Sequence, residues 1–325
     1  MMSGIDLDMA PVLVALGGNA ISPAEKEGNI PQQFDATRAT VAHLVDLIAH
    51  GVRLLITHGN GPQVGNVLRR VELAAHEIYT LPLDICVADT QGGMGYMIAQ
   101  CLDNELRRRG IDLVANTIIT TVEVDPDDPG FENPTKPVGG YYEPRKAEEM
   151  QRRYGWKMVV SRRNGKYRRV VPSPLPQRII ELKLIRECIE AGDLIVAAGG
   201  GGIPVARGPD GDLVGVEAVI DKDRTSAMLA SGIGAETFVI ATGVDRVMLD
   251  FGQPTQRAIE HMTVGEAQRH LDEGQFPPGS MGPKIEAAID YLRRTDSPRA
   301  RVIITDLERM VEAIHGRAGT TITLE

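Results

Sequence analysis

Three short apolar runs in this chain each break off into glycine, and that pattern restricts the fold more than any other feature. Pro11 to Leu16 ends at Gly17-Gly18-Asn19, Val52 to Ile56 leads to His58-Gly59-Asn60-Gly61-Pro62, and Leu194 to Ala198 runs into Gly199-Gly200-Gly201-Gly202. Short apolar runs bounded by turn signals are the pattern of strands buried on both faces. Helical spacing follows the first of them: Val41, Leu44, Val45 and Ile48 share one face, and Gly51 stands where a C′ glycine closes a helix. Strands that alternate with helices build βα units around a mostly parallel sheet.

The alternation extends along most of the chain. Thr90 to Arg109 predicts a long helix and Leu113 to Ile119 a strand. Ile179, Leu182, Ile185 and Ile189 lie on one helical face that Gly192 terminates. Asp221 to Ser231 opens a helix, Thr237 to Thr242 is a strand, and Thr263 with Glu266 forms a capping box. Met281 to Arg294 is a further helix, with strands at Arg301 to Thr305 and Thr320 to Thr323. Between Thr121 and Gln177 the pattern stops. Val124 to Pro137 holds four prolines and several acids, which is turn chemistry. A basic stretch with the only tryptophan, Trp156, comes next. A segment of that length predicts structure of its own, projecting from the sheet. The expected organisation is one α/β domain over residues 1–325, with residues 121–177 as a protruding subdomain inserted within it.

The composition, 42% hydrophobic and 24% charged, fits a soluble enzyme with a sizeable core. A net charge of −9 disfavours nucleic acid as a partner. Ten Lys and Arg against three Glu between Tyr141 and Val170 give a local charge of +7 and leave −16 elsewhere. That patch is a solvated surface, a nucleic-acid site or a clamp for a small anion. Cys86, Cys101 and Cys188 are too few and too dispersed for a metal site or disulfide framework. No leader pattern or membrane-length apolar run occurs, so the expected location is cytoplasmic.

Ligands of open α/β sheets sit beyond the carboxyl ends of the strands. Glycine-rich loops there aim backbone N–H groups at anions. Three such loops at one sheet edge describe a site for phosphate and carboxylate oxygens. No G-x-x-x-x-G-K-[ST] occurs, and Ile203-Pro204 interrupts any dinucleotide fingerprint after Gly202, which sets a nicotinamide enzyme aside. Phosphoryl transfer needs cations around the moving group. Lys222 lies between Asp221 and Asp223 at a helix start, Lys284 opens a helix after a Pro-Gly turn, and Lys136 is pinned between prolines. A cation at a helix start opposes the macrodipole, a cost that suggests an anionic ligand. The acids beside Lys222 fit either helix-start stabilisation or a role near Mg²⁺. His58 reads best as structural.

These segments resemble the amino acid kinase superfamily, and within it the carbamate kinases. The resemblance runs through Val14-Ala-Leu-Gly-Gly-Asn-Ala-Ile21, His58-Gly-Asn-Gly-Pro-Gln-Val-Gly65, Asn133-Pro-Thr-Lys-Pro-Val-Gly139 and Arg169-Val-Val-Pro-Ser-Pro174. It continues through Gly199-Gly-Gly-Gly-Ile-Pro204, Gly215 to Asp223, Thr242-Gly-Val-Asp245 and Pro278 to Glu286. It implies a three-layer α/β/α sandwich with a mostly parallel central sheet and a protruding subdomain, as a homodimer. The implied activity is reversible phosphoryl transfer between ATP and carbamate, running toward ATP in catabolism such as arginine metabolism. By the same resemblance, Gly17, Gly18, Asn19, Gly59, Asn60, Gly61, Gly200 and Gly201 hold carbamate or the phosphoryl group. Thr242, Gly243, Val244, Asp245, Met281 and Lys284 hold the nucleotide. Lys222 and Lys284 steady the phosphoryl group, Asp223 orients them, and Lys136 reaches in from the protrusion. Mg²⁺ enters with ATP or ADP through its phosphates rather than through protein ligands. One departure is Ser161-Arg-Arg-Asn-Gly-Lys166, which replaces a more acidic, glycine-rich stretch. Two rivals stay open: synthesis of carbamoyl phosphate, and a non-catalytic sensor of carbamoyl phosphate or nucleotide. The retained lysines argue against the sensor.

Overall fold

The computed structural model describes residues 10–22, 28–161 and 164–325, without the side chain of Asn19. An eight-stranded sheet runs through its centre. From one edge the order is His261–Thr263, Thr320–Thr323, Arg301–Thr305, Thr237–Ala241, Val12–Leu16, Leu54–His58, Leu194–Val196 and Ala115–Thr117. Six strands are parallel; Thr320–Thr323 runs antiparallel to Arg301–Thr305, and His261–Thr263 follows it.

Alternate residues of the central strands enter opposite cores, as the two-residue period of a strand requires. Leu13, Ala15, Leu55, Phe238 and Ile240 pack with helices Leu182–Glu190, Lys222–Gly232 and Met281–Arg294 on one face. Val12, Val14, Leu16, Ile56 and Val239 pack with helices Ile30–Ala49 and Leu83–Arg109 on the other. The result is an α/β/α sandwich.

Residues 121–177 contribute to two smaller sheets. Thr121–Val124 and Pro176–Ile179 pair with each other, and the former also joins Ile203–Arg207 and Leu213–Gly215 in a four-stranded sheet. Lys136–Tyr142, Tyr167–Val171 and Lys157–Val160 form a three-stranded sheet with helix Pro144–Tyr154. Much of the basic stretch holds this unit together. Arg169 lies over the Trp156 ring and pairs with Glu217, Arg168 lies over Tyr141, and Lys166 pairs with Glu143. Arg162 and Arg163 of the Ser161–Lys166 departure lie outside the described residues.

Four expected elements differ, the first being the strand expected over Leu113 to Ile119, which is confined to Ala115–Thr117. The helix expected from Thr90 begins at Leu83, because Leu83, Cys86 and Val87 already bury an apolar face behind Pro82. The second strand spans Leu54–His58 rather than Val52 to Ile56, since polar Thr57 and His58 are buried at its end. Ile179, placed on a helical face from spacing, is the last residue of strand Pro176–Ile179; the helix starts at Leu182. Its partner strand lies more than fifty residues away, beyond the reach of local periodicity.

Candidate active site

The three glycine-rich loops follow strands that are neighbours in the sheet, so they meet at one edge. Gly17 N donates to Ala241 O at 3.1 Å and Gly59 N to Leu16 O at 3.2 Å, which ties the first two loops to adjoining strand ends. Gly61 opens helix Gly61–Ala74, and Asn60 is buried with its amide donating to Thr90 Oγ1 at 3.0 Å. Asn19 lies in the short turn Gly18–Ala20; its side chain is outside the described residues.

The third loop admits no side chains. Gly200 has φ +65° and Gly201 φ +92°, in the region that L residues avoid. A Cβ on Gly200 would lie 2.2 Å from the Asn60 amide, and one on Gly201 would lie 2.4 Å from Ile220 O. Gln91 secures the loop from below, donating to Gly199 O at 3.0 Å and Thr120 O at 3.2 Å. Thr225 Oγ1 donates to Gly201 O at 2.8 Å and so fixes the loop to helix Lys222–Gly232.

That helix supplies the charges. Its N-cap is Asp221, whose Oδ1 accepts from Asp223 N at 2.9 Å and Arg224 N at 3.4 Å. Lys222 and Asp223 fall in the first turn, Asp223 buried and the Lys222 side chain only 12% exposed. Asp223 Oδ1 accepts from Lys222 Nζ, and its Oδ2 accepts from Lys284 Nζ at 2.8 Å across the gap to helix Met281–Arg294. Lys136 Nζ, from the first residue of strand Lys136–Tyr142, donates to Asp221 Oδ2 at 2.7 Å. All four expected catalytic residues are therefore brought together.

The cluster holds three lysines against two aspartates, leaving one positive charge in a desolvated place. Burial alone would raise the Asp223 carboxyl, but Lys222 and Lys284 together hold it well below the usual carboxylate range. Burial pushes the Lys222 ammonium down, Asp223 opposes that and Lys284 adds to it, with a net fall. Buried like charges are costly unless an opposite charge joins them. An anion at this sheet edge would meet the surplus cation and the loop N–H groups at once.

His58 lies beside this cluster. Its Nδ1–H donates to Gly59 O at 3.0 Å, and its Nε2 stands where a Gly199 side chain would have to go. Burial brings its pKa down to about 4, with Lys222 contributing in the same direction, so the ring is neutral at pH 7.

A cavity of about 740 Å³ opens from the lysines. It is lined by Gly17, Gly18, Thr242, Gly243, Val244 and Met281 together with Lys222 and Lys284. The volume falls in the range of cofactor-sized pockets. Asp245, expected beside it, instead pairs with Arg309 at 2.8 Å and does not line the cavity. Arg246, Met248, Phe251, Phe276 and Asp306 do line it, and no sequence motif marked them. A second cavity, about 550 Å³, lies between Trp156, Arg169 and helix Gly61–Ala74, and none of the clamp lysines lines it.

Residues 10–306 match the model of the amino acid kinase family. The chain is 42% identical over 314 residues to a carbamate kinase of Pyrococcus furiosus, covering 96% of this chain and 98% of that protein. It is 44% identical over 315 residues to the carbamate kinase-like protein YahI of Escherichia coli, with the same coverage. A Giardia lamblia carbamate kinase solved with AMP-PNP superposes with a TM-score of 0.91 at 34% identity, over 98% of this chain and 99% of that one.

Proposed function

Because the chain belongs to the amino acid kinase family, we propose that it acts as a carbamate kinase, moving a phosphoryl group reversibly between ATP and carbamate. The observation that carries this reading is the Asp223 carboxylate, which holds Lys222 and Lys284 from two different helices on the wall of a nucleotide-sized cavity.

The roles follow from charge and position. Phosphoryl transfer asks the protein mainly to place reactants and to neutralise charge on the transferred oxygens. Lys222 and Lys284 serve that charge, and Asp223 fixes the spacing of their ammonium groups. Lys136 adds a third cation from residues 121–177, which we read as an inserted protruding subdomain. Backbone N–H groups of Gly18, Asn19, Asn60, Gly61 and Gly200 orient the acceptor or the phosphoryl group, while Gly17, Gly59 and Gly201, whose N–H groups donate to Ala241 O, Leu16 O and Ala198 O, hold the loops in shape around it. Thr242, Gly243, Val244 and Met281 wall the nucleotide, and Asp245, paired with Arg309, stands outside that wall. No nucleophile need be modified.

Mg²⁺ belongs to the same proposal. Both central aspartates are engaged by lysines, and no group of three metal-ligating side chains occurs among the described residues. This donor set fits an ion carried by nucleotide phosphates and water. When bound, the ion supplies charge neutralisation between those phosphates.

We place the reaction in the direction of ATP formation from carbamoyl phosphate, in a cytoplasmic homodimer serving catabolism such as arginine breakdown. No helix among the described residues is long and apolar enough to cross a membrane. The test of the clamp is Lys222→Ala: turnover falls by about 10³-fold while ADP affinity stays within about threefold. Turnover within tenfold of the parent, in a folded variant, removes Lys222 from the role assigned to it.

A further inference from the structure

Asp221 has a geometry that its place as a helix cap does not exhaust. Resting on the phosphoryl-transfer reading, we propose that Asp221 is a positioning residue whose single carboxylate fixes Lys136 of residues 121–177 to the first turn of the clamp helix.

The two oxygens of this carboxylate do different work. Oδ1 accepts from Asp223 N and Arg224 N, which orients the group against the helix. Oδ2 is thereby aimed away from the helix, and Lys136 Nζ meets it at 2.7 Å. Among the described residues, Asp221 is the one ion-pair partner of Lys136. Lys136 comes from a strand that pairs with Tyr167–Val171 and not with the central sheet. Val138 of the same strand is buried against Val64 and Leu68, and Tyr142 Oη donates to Glu72 at 2.6 Å, so the strand's backbone is placed by its sheet together with helix Gly61–Ala74, and the Lys136 ammonium by Asp221. The pair is about four-fifths or more buried on the aspartate side and two-thirds on the lysine side, enough to limit screening by water. Burial would raise the Asp221 carboxyl, yet Lys136 and Lys222 bring it below its ordinary value, so it stays ionised at neutral pH.

The same segment repeats the device nearby. Glu217 Oε1 accepts from Leu83 N at 3.3 Å, at the start of helix Leu83–Arg109, while its Oε2 accepts from Arg169 at 3.0 Å. Val219 N donates to Pro172 O at 3.0 Å between the two acids. Residues 217–221 thus seat the 121–177 unit at three points, and the point at Asp221 is the one beside the clamp. A lysine held this way is preorganised for the transferred group instead of being recruited from solvent.

Asp221→Asn separates the two jobs, because its amide oxygen still caps the helix but its amide nitrogen cannot pair with Lys136. The experiment uses the full chain with carbamoyl phosphate, ADP and Mg²⁺, and compares Asp221→Asn, Lys136→Ala and the double variant. The expected result is a kcat about 10- to 100-fold lower in Asp221→Asn, with ADP affinity close to the parent and a lowered Tm, because Lys136 and Lys222 lose a counter-charge. No further loss is expected when Asp221→Asn is added to Lys136→Ala. Amide exchange in Lys136–Tyr142 should quicken in Asp221→Asn and in Lys136→Ala, where the cap is untouched, while Lys222–Gly232 keeps its protection. Multiplying losses in the double variant, parent-like turnover in Asp221→Asn, or unchanged exchange in that strand would overturn the proposal. If the parent protein makes no ATP, the kinase reading fails instead, and the exchange result still decides the tether.

Discussion

At the residue scale the site is organised by two adjacent acids with unlike tasks. Asp223 joins two lysines that are 62 residues apart in the chain, and Asp221 joins helix to protrusion. The two lysines that meet at Asp223 were singled out by the sequence, because Lys222 and Lys284 sit at helix starts where a cation is otherwise unfavourable. The separate role of Asp221 was not, since a helix-start aspartate has an ordinary explanation in capping. His58 was also read as structural, and its burial between Gly59 and Gly199 agrees with that. It carries a pH prediction. Its folded pKa is about 4, below the unfolded value of 6.5, so the unfolded chain binds more protons between those limits. Stability from the neutral ring is complete above pH 6.5 and is lost as pH falls toward 4, by about 3 kcal/mol. Urea unfolding from pH 7 to 4 should show that loss in the parent and a flatter profile in His58→Asn. Parallel profiles would mean His58 does not titrate as its burial requires.

At the element scale, the strand and helix pattern was most legible where apolar periodicity was undiluted. Met281–Arg294, Arg301–Thr305 and Thr320–Thr323 match their expected limits. Buried polar ends hid the true extent of Leu54–His58, and a long-range partner hid the strand at Ile179. The glycine loops were recognisable as anion-binding turns, but the sequence offered no sign that Gly200 yields its side-chain space to Asn60, or Gly201 to Ile220 O. Those close approaches exist only once three strands lie side by side. The cavity wall was least legible of all: Arg246, Phe251 and Phe276 reach it from connections outside any motif.

At the scale of the whole molecule, one face remains open in a way that supports self-association. Ile85 and Tyr96 are exposed on the same stripe of helix Leu83–Arg109, with exposed Ile119 against Gly92 between them. The open sheet edge at Ala115–Thr117 lies beside this stripe. Apolar stripes and free edges of this kind favour pairing with another chain. Light scattering at micromolar concentration should give twice the 35.2 kDa chain mass, and Tyr96→Glu should shift it toward the monomer. A parent mass of one chain would contradict the homodimer. Phosphoryl transfer itself is followed by ³¹P NMR of the parent protein with carbamoyl phosphate, ADP and Mg²⁺. The carbamoyl phosphate signal should decline as the γ-phosphate of ATP grows in matching amount. Release of inorganic phosphate alone, or no enzyme-dependent change with folded protein present, would contradict the kinase reading.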